Sequence, residues 1–77
     1  MKTYTYPVRF VHVPGDIEVH VRDFPQIVTA GYTIEEAREM AEDAILVMLE
    51  VCIEDGIPIP EPSEPEEGEE LISASLP

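Results

Sequence analysis

Basic side chains are the scarcest feature of this sequence. Its 77 residues hold 4 Lys and Arg against 17 Asp and Glu, a formal net charge of -13. A surface that anionic repels phosphate, so direct binding to nucleic acid is not expected. Cysteine is nearly absent: Cys52 stands alone, which excludes an internal disulfide and a Cys-based zinc site. No His-x₃-His or Cys-x₂-Cys spacing exists, and no Gly-rich phosphate loop is present. Long apolar runs are missing too. Ala44–Leu49 and, beyond Glu50, Val51–Ile53 fall well short of the roughly 20 residues a membrane span needs. Lys2 is followed by Thr and Tyr rather than an apolar stretch, so no secretory leader is expected and the default is a soluble, cytoplasmic protein.

What is present fits one small domain, residues 1–77. A chain this short buries only roughly 60% of its unfolded surface, so its core is small and help from a partner is plausible. With 44% hydrophobic residues it is not compositionally disordered. The charge is lopsided. Residues 1–38 hold all four basic residues (Lys2, Arg9, Arg22, Arg38) and five acids, for -1; residues 39–77 hold twelve acids and no Lys or Arg, for -12. Such blocks serve as solvated tails or as surfaces for basic partners.

Alternation organises the N-terminal third. Tyr4, Tyr6, Val8 and Phe10 face one way and Thr5, Pro7, Arg9 and Val11 the other, which predicts a strand over 3–13. Pro7 lacks an amide donor and belongs at an edge or near the strand start. Val13-Pro14-Gly15-Asp16 reads as a turn, and Ile17, Val19 and Val21 alternate with Glu18, His20 and Arg22 in a second strand of the same hairpin. After Asp23-Phe24-Pro25, Ile27–Ala30 reads as a short third strand ended by Gly31, a turn residue. The simplest assembly is a three-stranded antiparallel meander.

Thr33 starts a helix. Its hydroxyl suits an N-cap, Glu36 completes a capping box, and Gly56 supplies the stop, so the helix should run from Ile34 to about Asp55. Ile34, Ala37, Ala41, Ala44, Ile45, Met48 and Cys52 form the stripe expected to pack on the sheet. From Ala44 to Ile53, however, nine of ten residues are apolar. One sheet covers one stripe, so the surplus around Leu46, Leu49 and Ile53 must meet something else: a second chain, or residues 57–65 folded back. That segment has Pro at 58, 60, 62 and 65 and reads as an extended spacer. An acidic loop, Glu66-Glu67-Gly68-Glu69-Glu70, follows. Leu71–Leu76 then alternates as a fourth strand with Ile72, Ala74 and Leu76 inward. The fold class is α+β in the order β-β-β-α-β.

No constellation for catalysis stands out. His12 and His20 sit on different strands; His12 reads as a strand-end packing residue and His20 as a solvated one. Asp16, Glu18 and Asp23 are scattered over strand interiors and ends, poorly organised for a two-metal site. Cys52 sits among apolar residues, where it is a small hydrophobe. Ser73 and Ser75 have no base nearby. No cofactor, metal or enzymatic activity is expected.

One resemblance gathers these pieces. Thr29-Ala30-Gly31-Tyr32-Thr33-Ile34-Glu35-Glu36-Ala37, then Asp43-Ala44, then Glu54-Asp55-Gly56-Ile57-Pro58-Ile59-Pro60-Glu61-Pro62-Ser63 resembles the HicB antitoxins in an ordered set covering nearly the whole chain. The resemblance implies a partial, degenerate RNase H-like fold. It also implies a homo-oligomer, dimer or tetramer, that neutralises a small basic mRNA-cleaving toxin, HicA. Phe24-Pro25-Gln26 departs from the family's Leu-Pro-Gly at the turn before the third strand. The helix-turn-helix or ribbon-helix-helix domain of many members has no counterpart before Pro77, so operator binding is not carried over. On this reading Glu66, Glu67, Glu69 and Glu70 are the expected toxin contacts, and Leu46, Leu49 and Ile53 the expected oligomer contact. The rivals are a stand-alone oligomeric HicB-like protein of other binding function, and a residual RNase H-like nuclease using Asp16, Glu18 or Asp23 with Mg²⁺.

Overall fold

One long strand organises the sheet. In the computed structural model, which describes all of residues 1–77, β1 spans Lys2–Val13, β2 Asp16–Val21, β3 Thr29–Gly31 and β4 Glu69–Leu76, with a single helix α1 at Ile34–Asp55. The four strands form one antiparallel sheet in the order β3-β2-β1-β4. The expected meander is there, and β4 joins it on the free side of β1. The twelve residues of β1 serve as a splint. Val8–Val13 pair with β2, while Lys2–Arg9 pair with β4. Pro14-Gly15 turns the first hairpin, and Gly15 takes the φ of 86° that the second turn position needs and that a side chain resists.

This pairing corrects the placement of Pro7. It lies in the middle of a central strand, not at an edge. Its neighbour β2 stops at Val21, opposite Val8, so no strand on that side waits for an amide at Pro7. The third strand is also shorter than Ile27–Ala30 predicts. The Phe24 amide donates to the Val21 carbonyl (3.1 Å) and the Ile27 amide to the Phe24 carbonyl (3.0 Å). Those turns use the backbone groups that a ladder would need, and pairing begins only at Thr29.

Helix α1 matches the expected bounds because its signals are local. The Thr33 hydroxyl accepts from the Glu36 amide at 3.1 Å, and Gly56 ends the helix in the left-handed region at φ 66°. Glu36 reaches back to the Tyr32 amide (3.0 Å), one residue earlier than a strict capping box. The helix lies across the sheet and touches both edge strands, β3 and β4. Its buried row is Ala37, Ala41, Ile45, Leu49 and Cys52, packed on Tyr6, Val8, Ile17, Val19, Val21, Ile72 and Ala74. Phe24 closes the core edge-on to Tyr6, with ring centroids 5.0 Å apart.

Gly31 is not the positive-φ turn residue expected from sequence; those are Gly15, Gly56 and Gly68. It is needed for close approach. A methyl group there would lie 2.5 Å from the Ala37 nitrogen and 2.8 Å from its Cα. Together with Ala37 and Ala41, it lets the first turns of α1 sit directly on β3.

The connection from Gly56 to β4 folds back onto Tyr6 and Asp23 and leaves Ile53 uncovered. Ile59 packs against the core, and the buried Tyr6 hydroxyl donates to the Pro60 carbonyl at 2.8 Å. Burial, reinforced by the nearby Asp23 charge, pushes that hydroxyl up to about 12, so it stays a donor. Toward the start of β1 the sheet's other face is open, and there Thr3 meets Ser75 (2.8 Å) and Thr5 meets Ser73 (2.7 Å).

Candidate functional site

The chain has three arginines, one on β1, one just after β2 and one on α1, and all three reach the acidic segment that runs into the start of β4. Arg22 grips the Glu69 carboxylate at 2.7 and 3.4 Å and donates to the Glu64 carbonyl at 3.0 Å. Arg38 binds Glu70 through two contacts, 2.6 and 3.1 Å. Arg9 lies 3.8 Å from Glu66 and donates to the Glu67 carbonyl at 3.3 Å. Asp23 adds a fourth tie, accepting from the Ser63 hydroxyl (2.6 Å) and amide (3.2 Å). These contacts hold the Pro-rich connection onto the sheet. They place the four glutamates expected to meet a partner in two classes. Glu69 and Glu70 are committed to arginines of their own chain, and the Glu69 side chain is 3% exposed. Glu66 and Glu67 stay exposed, with Glu66 loosely paired.

The Arg22 bond, helped by the Glu66 amide at 2.7 Å, holds the Glu69 carboxyl below the ordinary glutamate range. The unfolded chain therefore takes a proton at this site at higher pH than the folded chain does. The stability Glu69 supplies is present above the unfolded carboxylate range and is lost as pH falls through the lower folded value. Glu69→Gln is expected to lower the thermal midpoint at pH 7, and the difference should fade in acid. A gap unchanged between pH 7 and pH 3 would show that charge is not what Glu69 contributes.

With those pairs made, the uncompensated charge lies mainly on α1. The helix carries Glu35, Glu36, Glu39, Glu42, Asp43, Glu50, Glu54 and Asp55, all exposed, against Arg38 alone. Glu54 and Asp55 stand at the negative end of the helix dipole, with no basic residue in the last turn. This placement is electrostatically unfavourable in the isolated chain.

The surplus apolar surface is real, but its membership differs from expectation. Leu49 is fully buried against the sheet and is not available to a partner; Leu46 is half-buried. Ile53 is exposed, as are Val47 and Met40, and Val28 projects from the segment before β3. Met48, placed on the core stripe from sequence, is only partly buried. The signal for the difference was the four-residue row Ala37-Ala41-Ile45-Leu49, which a helix crossing the sheet obliquely buries in full.

The remaining singled-out residues do not converge. His12 is exposed rather than packed, and His20 is a surface residue 3.0 Å from Glu18. Asp16 is exposed at the hairpin, and Asp23 is engaged by Ser63. No three His, Cys, Asp or Glu side chains are placed to hold a metal ion together. Cys52 is buried and free. No helix is long and apolar enough to cross a membrane.

Comparison with known proteins gives one consistent result. A family model described as "HicB_like antitoxin of bacterial toxin-antitoxin system" matches residues 3–77. The chain is 37% identical over 75 residues to antitoxin HicB 2 of Photorhabdus laumondii, a match covering 97% of this chain and 54% of that protein. It is 40% identical over 60 residues to antitoxin HicB of Escherichia coli K12, covering 74% of this chain and 44% of the relative. Antitoxin HicB 1 of Photorhabdus laumondii is 42% identical over 65 residues, 80% of this chain and 42% of its own length. The chain thus spans about half the length of the curated relatives it matches.

Proposed function

The chain belongs to the HicB-like antitoxin family, and from that premise we propose that it is the toxin-binding domain of an antitoxin, neutralising a basic, mRNA-cleaving, HicA-like toxin. Its role is binding rather than catalysis. The observation that carries this reading is the uncompensated anionic surface. Of the twelve acids after Arg38, only Glu66, Glu69 and Glu70 have arginine partners, and the dipole-opposing Glu54 and Asp55 have none. A protein that binds RNA presents Lys and Arg, and this surface competes with phosphate for them. Encounter is steered by charge, while affinity comes from desolvated apolar anchors. Glu66 and Glu67 remain candidate contacts. Glu69 and Glu70 join only if the toxin's cations displace Arg22 and Arg38.

The test is a titration of this chain into a HicA-like basic toxin, made catalytically inactive, at several ionic strengths. Submicromolar binding at low salt that weakens steeply above about 0.15 M is expected, because exposed charge pairs are screened beyond about 8 Å there. Absence of binding, or affinity indifferent to salt, would count against the proposal.

Ile53, 59% exposed at the end of α1, supports a second component of the reading. With Leu46 on its flank, it is a contact for self-association that enlarges a small core.

A further inference from the structure

Resting on the antitoxin reading, we propose that the toxin docks by a basic amphipathic helix in the groove between α1 and the segment leading into β3. The groove, about 390 Å³, runs along Ile27, Val28, Met40, Ala44, Val47 and Met48. Three of these residues are unusually bare for apolar side chains: Val28 is 94% exposed, Val47 55% and Met40 37%. Nothing in the fold calls for them there, since the core is complete without them.

Its occupant is identified by what borders it. Glu36, Met40, Asp43, Val47, Glu50 and Glu54 follow one another at spacings of four, three, four, three and four residues. On a helix this alternates acid and apolar groups from Glu36 to Val47 along one exposed ridge, with Asp43 lining the groove; Glu50 and Glu54 continue the ridge to a separate depression beside Leu76 and Pro77. From Met40 to Glu54 the ridge is about 21 Å long, matching roughly four turns of a partner helix. A complementary helix presents apolar residues at helical spacing to the groove and Lys or Arg to Asp43, the one charged residue that lines it, and to the acidic helix surface beside it.

Other occupants fit less well. A second copy of this chain would bring two such acidic ridges together on molecules that each carry -13. The chain's own Pro-rich connection is held elsewhere by Tyr6, Asp23, Arg22 and Arg9. Met40 and Met48 are flexible side chains suited to moulding around an incoming helix.

The experiment compares three single variants of the full chain in calorimetric titration against the inactive basic protein. Val47→Lys and Val28→Lys each put a like charge into the groove. Leu71→Lys makes the same change on the opposite, open face of the sheet, where Leu71 is 55% exposed. Both groove variants should lose about 30-fold or more in affinity, and Leu71→Lys less than about threefold. Circular dichroism melts should leave all three folded, because all three positions are exposed. Equal losses in the three variants, or wild-type affinity in the two groove variants, overturns the groove while leaving the antitoxin reading in place. Failure of the unaltered chain to bind the basic protein overturns both. Light scattering supplies the last outcome: a dimer that becomes monomeric in Val47→Lys would give the groove to a second copy and sink the proposal.

Discussion

Gly31→Ala is expected to lose a large share of the fold's stability, about 3 kcal/mol. The added methyl would lie 2.5 Å from the Ala37 nitrogen and 2.8 Å from its Cα, closer than real Cβ atoms sit, and 3.0 Å from the Glu36 carbonyl carbon. Both neighbours are backbone in the first turn of α1, so no side chain can swing away. Either β3 leaves β2 or the helix start lifts from the sheet. A lifted start would also disturb the bond from the Glu36 amide to Thr33 and the one from the Tyr32 amide to Glu36. A domain of this size is stable by roughly 4–12 kcal/mol, so a loss of that order is visible as a large drop in the urea midpoint. Gly15→Ala serves as the comparison, because open space surrounds its Cβ and only the φ of 86° is strained. Its cost should be about 1 kcal/mol. A Gly31→Ala variant as stable as Gly15→Ala would mean that β3 and α1 are less closely packed than described.

Leu49→Ala should destabilise by about 2–5 kcal/mol, whereas Ile53→Ala should stay within about 0.5 kcal/mol in the monomer. The two residues are one helical turn apart and chemically alike. One is fully buried beneath the helix, and the other is 59% exposed. Leu49→Ala removes three carbons from a core of thirteen residues, and the cavity has few neighbours able to relax into it. Leu46→Ala should fall between them, as a half-buried residue packed at the core margin. Chemical denaturation of the three variants decides the point. If Ile53→Ala costs as much as Leu49→Ala at high dilution, the exposed end of α1 is part of the core. If Ile53→Ala is costly only at high protein concentration, the difference measures self-association.

The contrast between Leu49 and Ile53 also shows how far the sequence could be read. The helix bounds were legible because Thr33, Glu36 and Gly56 act on backbone groups within four residues of themselves. The strand alternation was legible because Tyr6, Val8, Ile72 and Ala74 need face only one layer. Which apolar residues of α1 lie under it was not fully legible. The buried row depends on the angle at which the helix crosses the sheet, and only the assembled sheet sets that angle. The arginine clamp was hidden for a different reason. Arg22 and Glu69 are 47 residues apart, and Arg38 and Glu70 are 32 apart. Counting charge by halves of the chain separates these partners, while the β1–β4 pairing reunites them. The consequence reaches function. Two of the four glutamates expected to meet a partner, Glu69 and Glu70, are the ones most occupied, and most of the free charge belongs to the helix.

The most direct test of the account is inhibition rather than binding. An active HicA-like basic toxin is incubated with an mRNA, and this chain is added from zero to a twofold molar excess. Cleavage should stop near equimolar ratio, and Val47→Lys should need a large excess to reach the same end point. Cleavage that continues undiminished at twofold excess of folded chain would contradict it.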